Sequence, residues 1–157
     1  MDYKLEVNTR FDELEAIFDG NNQGFIADRA SIRRDDCEKL VCVFDGKAVG
    51  YIVIYHGNGW IEKEKFPLKF KPHADCIYLW ATCTKQEWQG KGVATFLLKY
   101  TKEKYVDKAI YAAVNQNNQA SISILKRANF KQILSFETAK NSPIEGKYFL
   151  FEYNSLS

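Results

Sequence analysis

The spacing of hydrophobic positions changes along the chain between helical and strand periodicity. After Asn8-Thr9, apolar side chains recur at helical spacing as far as Gly20-Asn21-Asn22; they are Phe11, Leu14, Ile17 and Phe18. Asn and Thr favour helix starts, and Gly and Asn favour helix ends, so we expect an amphipathic helix here. Two β-rich runs, 40–44 and 48–55, then flank Asp45-Gly46. That dipeptide favours a tight turn with positive φ, so the runs predict a β-hairpin.

The middle of the chain predicts a strand, a helix and a second strand. Residues 76–84 are apolar or β-prone on both faces, which is typical of a central strand covered on both sides. Helical spacing then returns and predicts a helix to about Val106, with Val93, Phe96, Leu97 and Tyr100 as its apolar stripe. The short apolar run 109–114 predicts the next strand. Strand, helix and strand in this order form a right-handed crossover between parallel strands.

The rest of the chain predicts one more helix and a final strand pair. A helix can begin at Asn117 or Asn118 and end at a left-handed Asn129; its apolar stripe would be Ser121, Ile124, Leu125 and Ala128. The runs 130–137 and 147–153 predict an antiparallel pair joined by a polar turn around Asn141-Ser142-Pro143. We therefore predict an α/β fold with a mixed, mostly antiparallel sheet flanked by helices.

The stretch 57–75 breaks the periodic pattern and predicts an irregular loop. No linker or internal repeat divides the chain, so we expect one domain over residues 1–157.

Composition narrows the classes of function. The 157 residues are 46% hydrophobic and 27% charged, as in an ordinary globular protein. A net charge of +2 does not favour nucleic-acid binding. The longest apolar run is too short to span a bilayer, and the polar start lacks the features of a signal peptide, so we expect a cytoplasmic protein without membrane contact. The four cysteines lack zinc-site spacing, which predicts buried free thiols and no metal.

The segment Gln89-Gly90-Lys91-Gly92-Val93-Ala94 is the strongest candidate for chemistry. It lies between the predicted central strand and the following helix, where open α/β folds commonly bind ligands. Gly90 and Gly92 permit a tight turn and close approach of a ligand, and the helix start favours an anion. Lys91 opposes the helix dipole without a capping side chain directly before it, so an anionic partner is expected. The alternative is a plain strand-to-helix turn.

Two common phosphate-binding motifs do not fit this segment. A P-loop requires glycine where Lys85 stands, and Ser or Thr where Gly92 stands. The dinucleotide-binding fingerprint requires Gly or Ala at the position of Thr95. A different phosphate-binding motif is needed.

The segment resembles the coenzyme A motif of the GCN-five-related N-acetyltransferase family, in which Gln or Arg is followed by two residues, Gly, one residue, and Gly or Ala. Gln89, Gly92 and Ala94 match it. A second element of the family is Asn, two residues, Ala or Ser, and then a helix that ends in Gly-Phe. Asn118 and Ser121, followed by Asn129-Phe130, resemble it, with Asn129 in place of the glycine. Because asparagine tolerates the left-handed conformation, this departure is mild.

The resemblance implies that acetyl-CoA is the co-substrate and that the end of the central strand splays to bind the pantetheine arm. The pyrophosphate would lie on the backbone amides from Gly90 to Thr95. The implied coenzyme-binding residues are Thr82, Cys83, Thr84, Gln89, Gly90, Lys91, Gly92, Val93, Ala94, Thr95, Asn118 and Ser121.

The sequence leaves several candidates for the two proton-transfer groups. The family often uses a tyrosine as the acid, and Leu125 occupies that position here. Tyr148 is our acid candidate, with Tyr111, Tyr153, water or a loss of catalysis as alternatives. Asp75 is the base candidate, because some members of the similar family place a carboxylate near that strand end, one residue out of register here, and a partly buried Asp can have a raised pKa. The alternatives are His73, Glu62 and His56, or an Asp75 that only ends a loop.

Three functions follow from these observations. The first is an N-acetyltransferase that moves an acetyl group from acetyl-CoA to a primary amine of a small molecule or a protein. The second is a catalytically silent acyl-CoA-binding regulatory module. The third, a nucleic-acid-binding module built on the lysines and aromatics of 60–71, is disfavoured. That stretch is interpreted either as an acceptor wall or as a loop fastened by its aromatics. The partners expected are acetyl-CoA and an unidentified amine, with a monomer or homodimer as the assembly.

Overall fold

Seven strands and five α-helices make up the described part of the chain, which in the computed structural model comprises residues 2–21, 26–142 and 144–155. The strands are β1 (Lys4–Val7), β2 (Cys37–Phe44), β3 (Lys47–His56), β4 (Cys76–Thr84), β5 (Ala109–Asn115), β6 (Lys131–Glu137) and β7 (Lys147–Tyr153). The helices are α1 (Phe11–Asn21), α2 (Ile26–Ser31), α3 (Trp60–Glu64), α4 (Val93–Lys104) and α5 (Gln119–Arg127), and a 3-10 helix covers Gln86–Trp88.

The strands form one mixed sheet in the order β1-β2-β3-β4-β5-β7-β6. The pairs β1–β2, β2–β3, β5–β7 and β6–β7 are antiparallel. The pair β4–β5 is parallel, with Cys76 opposite Ala109 and Tyr78 opposite Tyr111. The α/β fold, the mostly antiparallel sheet and the parallel strand-helix-strand crossover are therefore confirmed.

The residues group into two compact units, one from residues 1–55 and 80–104 and the other from 56–79 and 105–157. The chain enters each unit twice, and β4 contributes residues to both. The single domain over 1–157 stays a prediction.

In the first unit, the predicted hairpin is present and longer than expected. Its turn residues Asp45 and Gly46 have φ values of 51° and 74°, as the tight turn requires. β2 and β3 are buried along most of their length, and the pairing shifts by a bulge between Cys42 and Val43. This hairpin forms much of the first unit's core.

The α1 helix has the predicted position but not the predicted start. Asn8 accepts a hydrogen bond from the Lys39 backbone N–H at 2.8 Å, and Thr9 donates to Glu6 at 2.9 Å. The prediction that these side chains cap α1 is therefore wrong, because Asn8 bonds to β2 and Thr9 bonds to β1. Gly20 lies inside the helix, and Asn22 is outside the described residues. The sequence interpretation also missed β1 and α2.

In the second unit, aromatic packing fastens the stretch that was predicted to be an irregular loop. It contains the short helix α3. Trp60 is fully buried and stacks on Tyr78, with ring centroids 4.6 Å apart. Phe66 packs edge-on against Phe136 at 4.9 Å, and Phe70 meets Tyr111 at 5.7 Å. These contacts favour the fastened-loop interpretation over the acceptor wall.

The apolar stripes of two helices differ from the predicted ones. In α4, Tyr100 is 36% exposed, whereas Leu98 and Thr101 are buried beside Val93 and Leu97. In α5 the buried residues are Ile122 and Leu125, and Ser121, Ile124 and Ala128 are only half-buried. In both helices the periodicity located the element but misassigned part of its buried face.

A close approach at Gly50 positions the end of β4 and the start of α4. A Cβ atom built on Gly50 would lie 2.5 Å from Val93 Cγ1, 3.1 Å from the Cys83 carbonyl oxygen and 3.5 Å from Thr84 Cα. The backbones also meet directly, because the Lys85 N–H donates to the Val49 carbonyl at 2.9 Å. Only glycine at position 50 leaves room for this packing.

We expect Gly50→Ala to lower the free energy of unfolding by about 1–3 kcal/mol, because stiff Val93 and the Cys83 carbonyl must both move. Gly20→Ala is the matched control: its Cβ would meet nothing within 4 Å, and alanine favours the helix interior. Denaturant unfolding measures both variants. Equal stability of Gly50→Ala and the wild type would contradict the close packing.

Candidate functional site

The turn before α4 depends on two glycines in the left-handed region. Gly90 has a φ of 78° and Gly92 a φ of 83°, and Lys91 stands between them. Residues other than glycine adopt these backbone angles at a cost of roughly 1–2 kcal/mol. A Cβ built on either glycine would meet nothing within 4 Å, so the space beside the backbone is open. The turn has the position and conformation predicted for a ligand-binding segment.

The first turn of α4 presents backbone donors to this open space. The Phe96 N–H donates to the Gly92 carbonyl at 2.9 Å and closes the first turn. By helix geometry, the N–H groups of Val93, Ala94 and Thr95 have no carbonyl partner inside α4. Gly92 and Thr95 are exposed and Ala94 is half-buried. Donors of this kind, together with the helix dipole, bind anions.

An aromatic cluster packs next to the turn; its members are Tyr3, Phe44, Trp88 and Phe96. The Phe44 and Trp88 ring centroids lie 4.9 Å apart, and Tyr3 and Phe96 lie 5.5 Å apart. The Lys91 ammonium lies 5.0 Å from the centre of the Trp88 ring. Lys91 therefore has a cation–π partner on this cluster, which the sequence interpretation did not foresee.

The space next to the 3-10 helix is lined by charged side chains of both signs. Two cavities of about 230 Å³ each share Lys47 and Lys85 in their walls, and the second is also lined by Trp88. Lys85 forms an ion pair with Glu87 at 3.4 Å. Glu13 and Asp45 also line these cavities, so carboxylates balance the two lysines there.

Asn21 at the end of α1 binds the end of β4. Its side-chain amide donates to Cys83 Sγ at 2.9 Å and to the Thr84 carbonyl at 3.2 Å. Its carbonyl oxygen accepts from Gln89 Nε2 at 3.3 Å. Burial raises the pKa of the Cys83 thiol to about 11, so this thiol stays protonated at neutral pH. The structure thus brings Cys83, Thr84 and Gln89 together through a residue that the sequence analysis did not single out.

The second predicted element lies in the other unit. The Asn118 side chain caps α5 by accepting from the Ser121 N–H at 3.2 Å, and Asn129 has a φ of 69°, as predicted. Leu125 is 6% exposed and faces the unit's core. Asn118 and Ser121 have a clear structural role in α5, and coenzyme contact by them stays a prediction.

The two catalytic candidates have surroundings that differ from those expected. The Asp75 side chain is 71% exposed and pairs with Lys108 at 3.0 Å, so the partly buried setting that motivated its choice is absent. It directly precedes β4, whereas Gln89 follows the opposite end of that strand. Tyr148 is 5% exposed and stacks on Phe136, with ring centroids 5.5 Å apart. The proton-transfer roles of both residues stay predictions.

The alternative candidates also have defined surroundings. The Tyr111 hydroxyl accepts from the His73 N–H at 3.1 Å, and burial raises the Tyr111 pKa. Glu62, His73 and His56 are exposed, and the His56 ring contacts that of Tyr105. Their surroundings do not single out a base.

Neither a metal-binding cluster nor a membrane-spanning helix occurs in residues 2–21, 26–142 and 144–155. No group of three or more His, Cys, Asp or Glu side chains is arranged to hold a metal ion there. The four cysteines are free, with Cys37, Cys42 and Cys76 buried and Cys83 half-buried. Within the same residues, every helix is too short or too polar to cross a membrane.

Comparison with solved structures finds the same fold at low sequence identity. Arabidopsis thaliana NAA60 in complex with acetyl-CoA is 13% identical, with a TM-score of 0.71 over 97% of this chain and 98% of that one. A histone acetyltransferase HPA2 and related acetyltransferase from Corynebacterium glutamicum is 15% identical, with a TM-score of 0.72 over 98% and 97%. An N-acetyltransferase from Staphylococcus aureus is 16% identical, with a TM-score of 0.66 over 99% of both chains.

Comparison by sequence assigns the family. A search of curated proteins found no significant match. The family model for the acetyltransferase (GNAT) family matches residues 7–130, which include the whole turn from Gln89 to Ala94 and both α4 and α5. The chain therefore belongs to the acetyltransferase (GNAT) family.

Proposed function

We propose that the protein is an N-acetyltransferase that transfers the acetyl group of acetyl-CoA to a primary amine of a small molecule or a protein. The observation that carries this proposal is the turn at Gly90 and Gly92, which opens the first-turn amides of α4 to an anion. Family membership supports acetyl-CoA as the donor, and the similar NAA60 structure is in complex with it.

In this proposal the pyrophosphate of acetyl-CoA lies on the amides from Gly90 to Thr95. Lys91, between the two glycines, supplies positive charge at the turn. The implied contacts of Thr82, Cys83 and Thr84 with the pantetheine arm rest on the family resemblance. Since Asn21 holds Cys83 and Thr84, it would also fix the part of β4 that the arm follows.

The proposed reaction is direct attack of the neutral amine on the thioester carbonyl. The new C–N bond forms, the C–S bond breaks, and coenzyme A leaves as a thiolate that takes up a proton. An alkyl ammonium with a pKa of about 10 must first lose its proton. We propose that water carries both proton transfers, because Leu125 is apolar and Asp75 is exposed and paired with Lys108.

A silent acyl-CoA-binding module is the second candidate. Leu125, buried at the position where the resemblance implies a tyrosine acid, is the observation that favours it. This module would bind the coenzyme through the same turn, so the two functions differ only in turnover.

The binding claim predicts that acetyl-CoA stabilises the wild-type protein, by about 2.7 kcal/mol at a hundredfold excess over its Kd. Gly92→Ala should lose most of this stabilisation, because a Cβ would enter the space left for the pyrophosphate. Gly57→Ala is the matched control, since its φ of 94° and open surroundings impose a similar backbone cost in the second unit. Thermal-shift titration measures all three proteins, and equal loss in both variants would contradict a ligand site at Gly92.

The catalytic claim predicts release of coenzyme A thiol from acetyl-CoA in the presence of an amine from a panel of small amines and peptide amines. The rate should rise with pH up to the pKa of the amine, since only the neutral amine attacks. A thiol-reactive dye measures the release. Saturable acetyl-CoA binding without release across the panel would favour the silent module, and absence of binding would contradict both functions.

A further inference from the structure

The N-terminal segment reaches the proposed coenzyme turn through one tyrosine. Tyr3 directly precedes β1, whose pairing places Lys4 opposite Val43, beside the last residue of β2. From there the Tyr3 hydroxyl donates to the Lys91 carbonyl oxygen at 2.6 Å, across 88 residues of sequence. This contact joins the edge of the sheet to the middle of the turn.

The carbonyl that Tyr3 binds belongs to the peptide plane that carries the Gly92 N–H. In a trans peptide the C=O and N–H point in opposite directions. The bond from Tyr3 therefore directs the Gly92 N–H away from the aromatic cluster. Without it, this plane would be free to rotate, since glycine follows it and accepts many backbone conformations.

Contacts of the Tyr3 ring with two other aromatic rings hold the hydroxyl in place. The ring centroid lies 5.5 Å from that of Phe96 in α4 and 6.3 Å from that of Trp88 before the turn. The ring thus contacts both flanks of the turn while the hydroxyl binds its centre. Burial raises the Tyr3 pKa above its usual value near 10, so the hydroxyl remains a donor at neutral pH.

We propose that Tyr3 is a positioning residue for the coenzyme: it fixes the Lys91–Gly92 peptide so that the Gly92 N–H faces the pyrophosphate. The inference rests on the proposed function. Pre-organised donors bind more tightly because less ordering is needed on binding. The N-terminal segment thereby controls coenzyme affinity without being part of the turn.

Tyr3→Phe tests this, because it removes the hydroxyl and keeps the ring. Isothermal titration should give a Kd for acetyl-CoA about 2- to 10-fold higher than in the wild type, as expected for one lost hydrogen bond. The melting temperature without ligand should stay near that of the wild type. The NMR order parameter of the Gly92 N–H should fall, because its peptide plane becomes free to rotate. Tyr100→Phe is the control, since Tyr100 is an exposed tyrosine on α4.

The outcomes separate the two claims. If the wild-type protein binds acetyl-CoA and Tyr3→Phe binds it equally well, the role of Tyr3 is overturned and the proposed function stands. A lower melting temperature with an unchanged Kd would give Tyr3 a purely structural role and also overturn the inference. If the wild-type protein does not bind acetyl-CoA, the proposed function fails, and the role of Tyr3 fails with it.

Discussion

The packing of Gly50 against Val93 and the end of β4 is the contact on which the proposed site depends. The missing side chain at Gly50 lets the first residue of α4 approach β3, with Val93 Cγ1 in the space that a Cβ would fill. The Lys85–Val49 hydrogen bond fixes the chain at the same place. Because α4 begins at Val93, directly after the turn, this contact determines where the free amides of α4 point.

The turn itself is defined by constraints from several distant segments. Gly90 and Gly92 supply conformations that other residues avoid, Tyr3 fixes the peptide between Lys91 and Gly92, and Trp88 faces the Lys91 ammonium. A cation close to the N-terminus of a helix is unfavourable, and Lys91 lies two residues before α4. Its place over Trp88 offsets part of that cost and keeps the open face of the turn available to an anion.

The sequence predicted the elements with strong local signals and missed contacts between distant residues. β4 has the predicted bounds, because its apolar run is bordered by polar residues on both sides. The left-handed Asn129 was also predicted, since few residues tolerate that conformation. β1 has only four residues and no clear alternation of burial, so periodicity could not identify it. The roles of Gly50, Asn21 and Tyr3 depend on partners more than 30 residues away, which no local pattern encodes.

The central claim is that the amides from Gly90 to Thr95 receive the coenzyme pyrophosphate. An NMR titration of the isotope-labelled protein with coenzyme A tests it most directly, because backbone N–H signals move when they begin to donate to phosphate. The account predicts saturable shifts that are largest for Gly92, Ala94 and Thr95, with little change at Gly57, which bonds to the start of β4. Saturable shifts confined to other parts of the chain would contradict it.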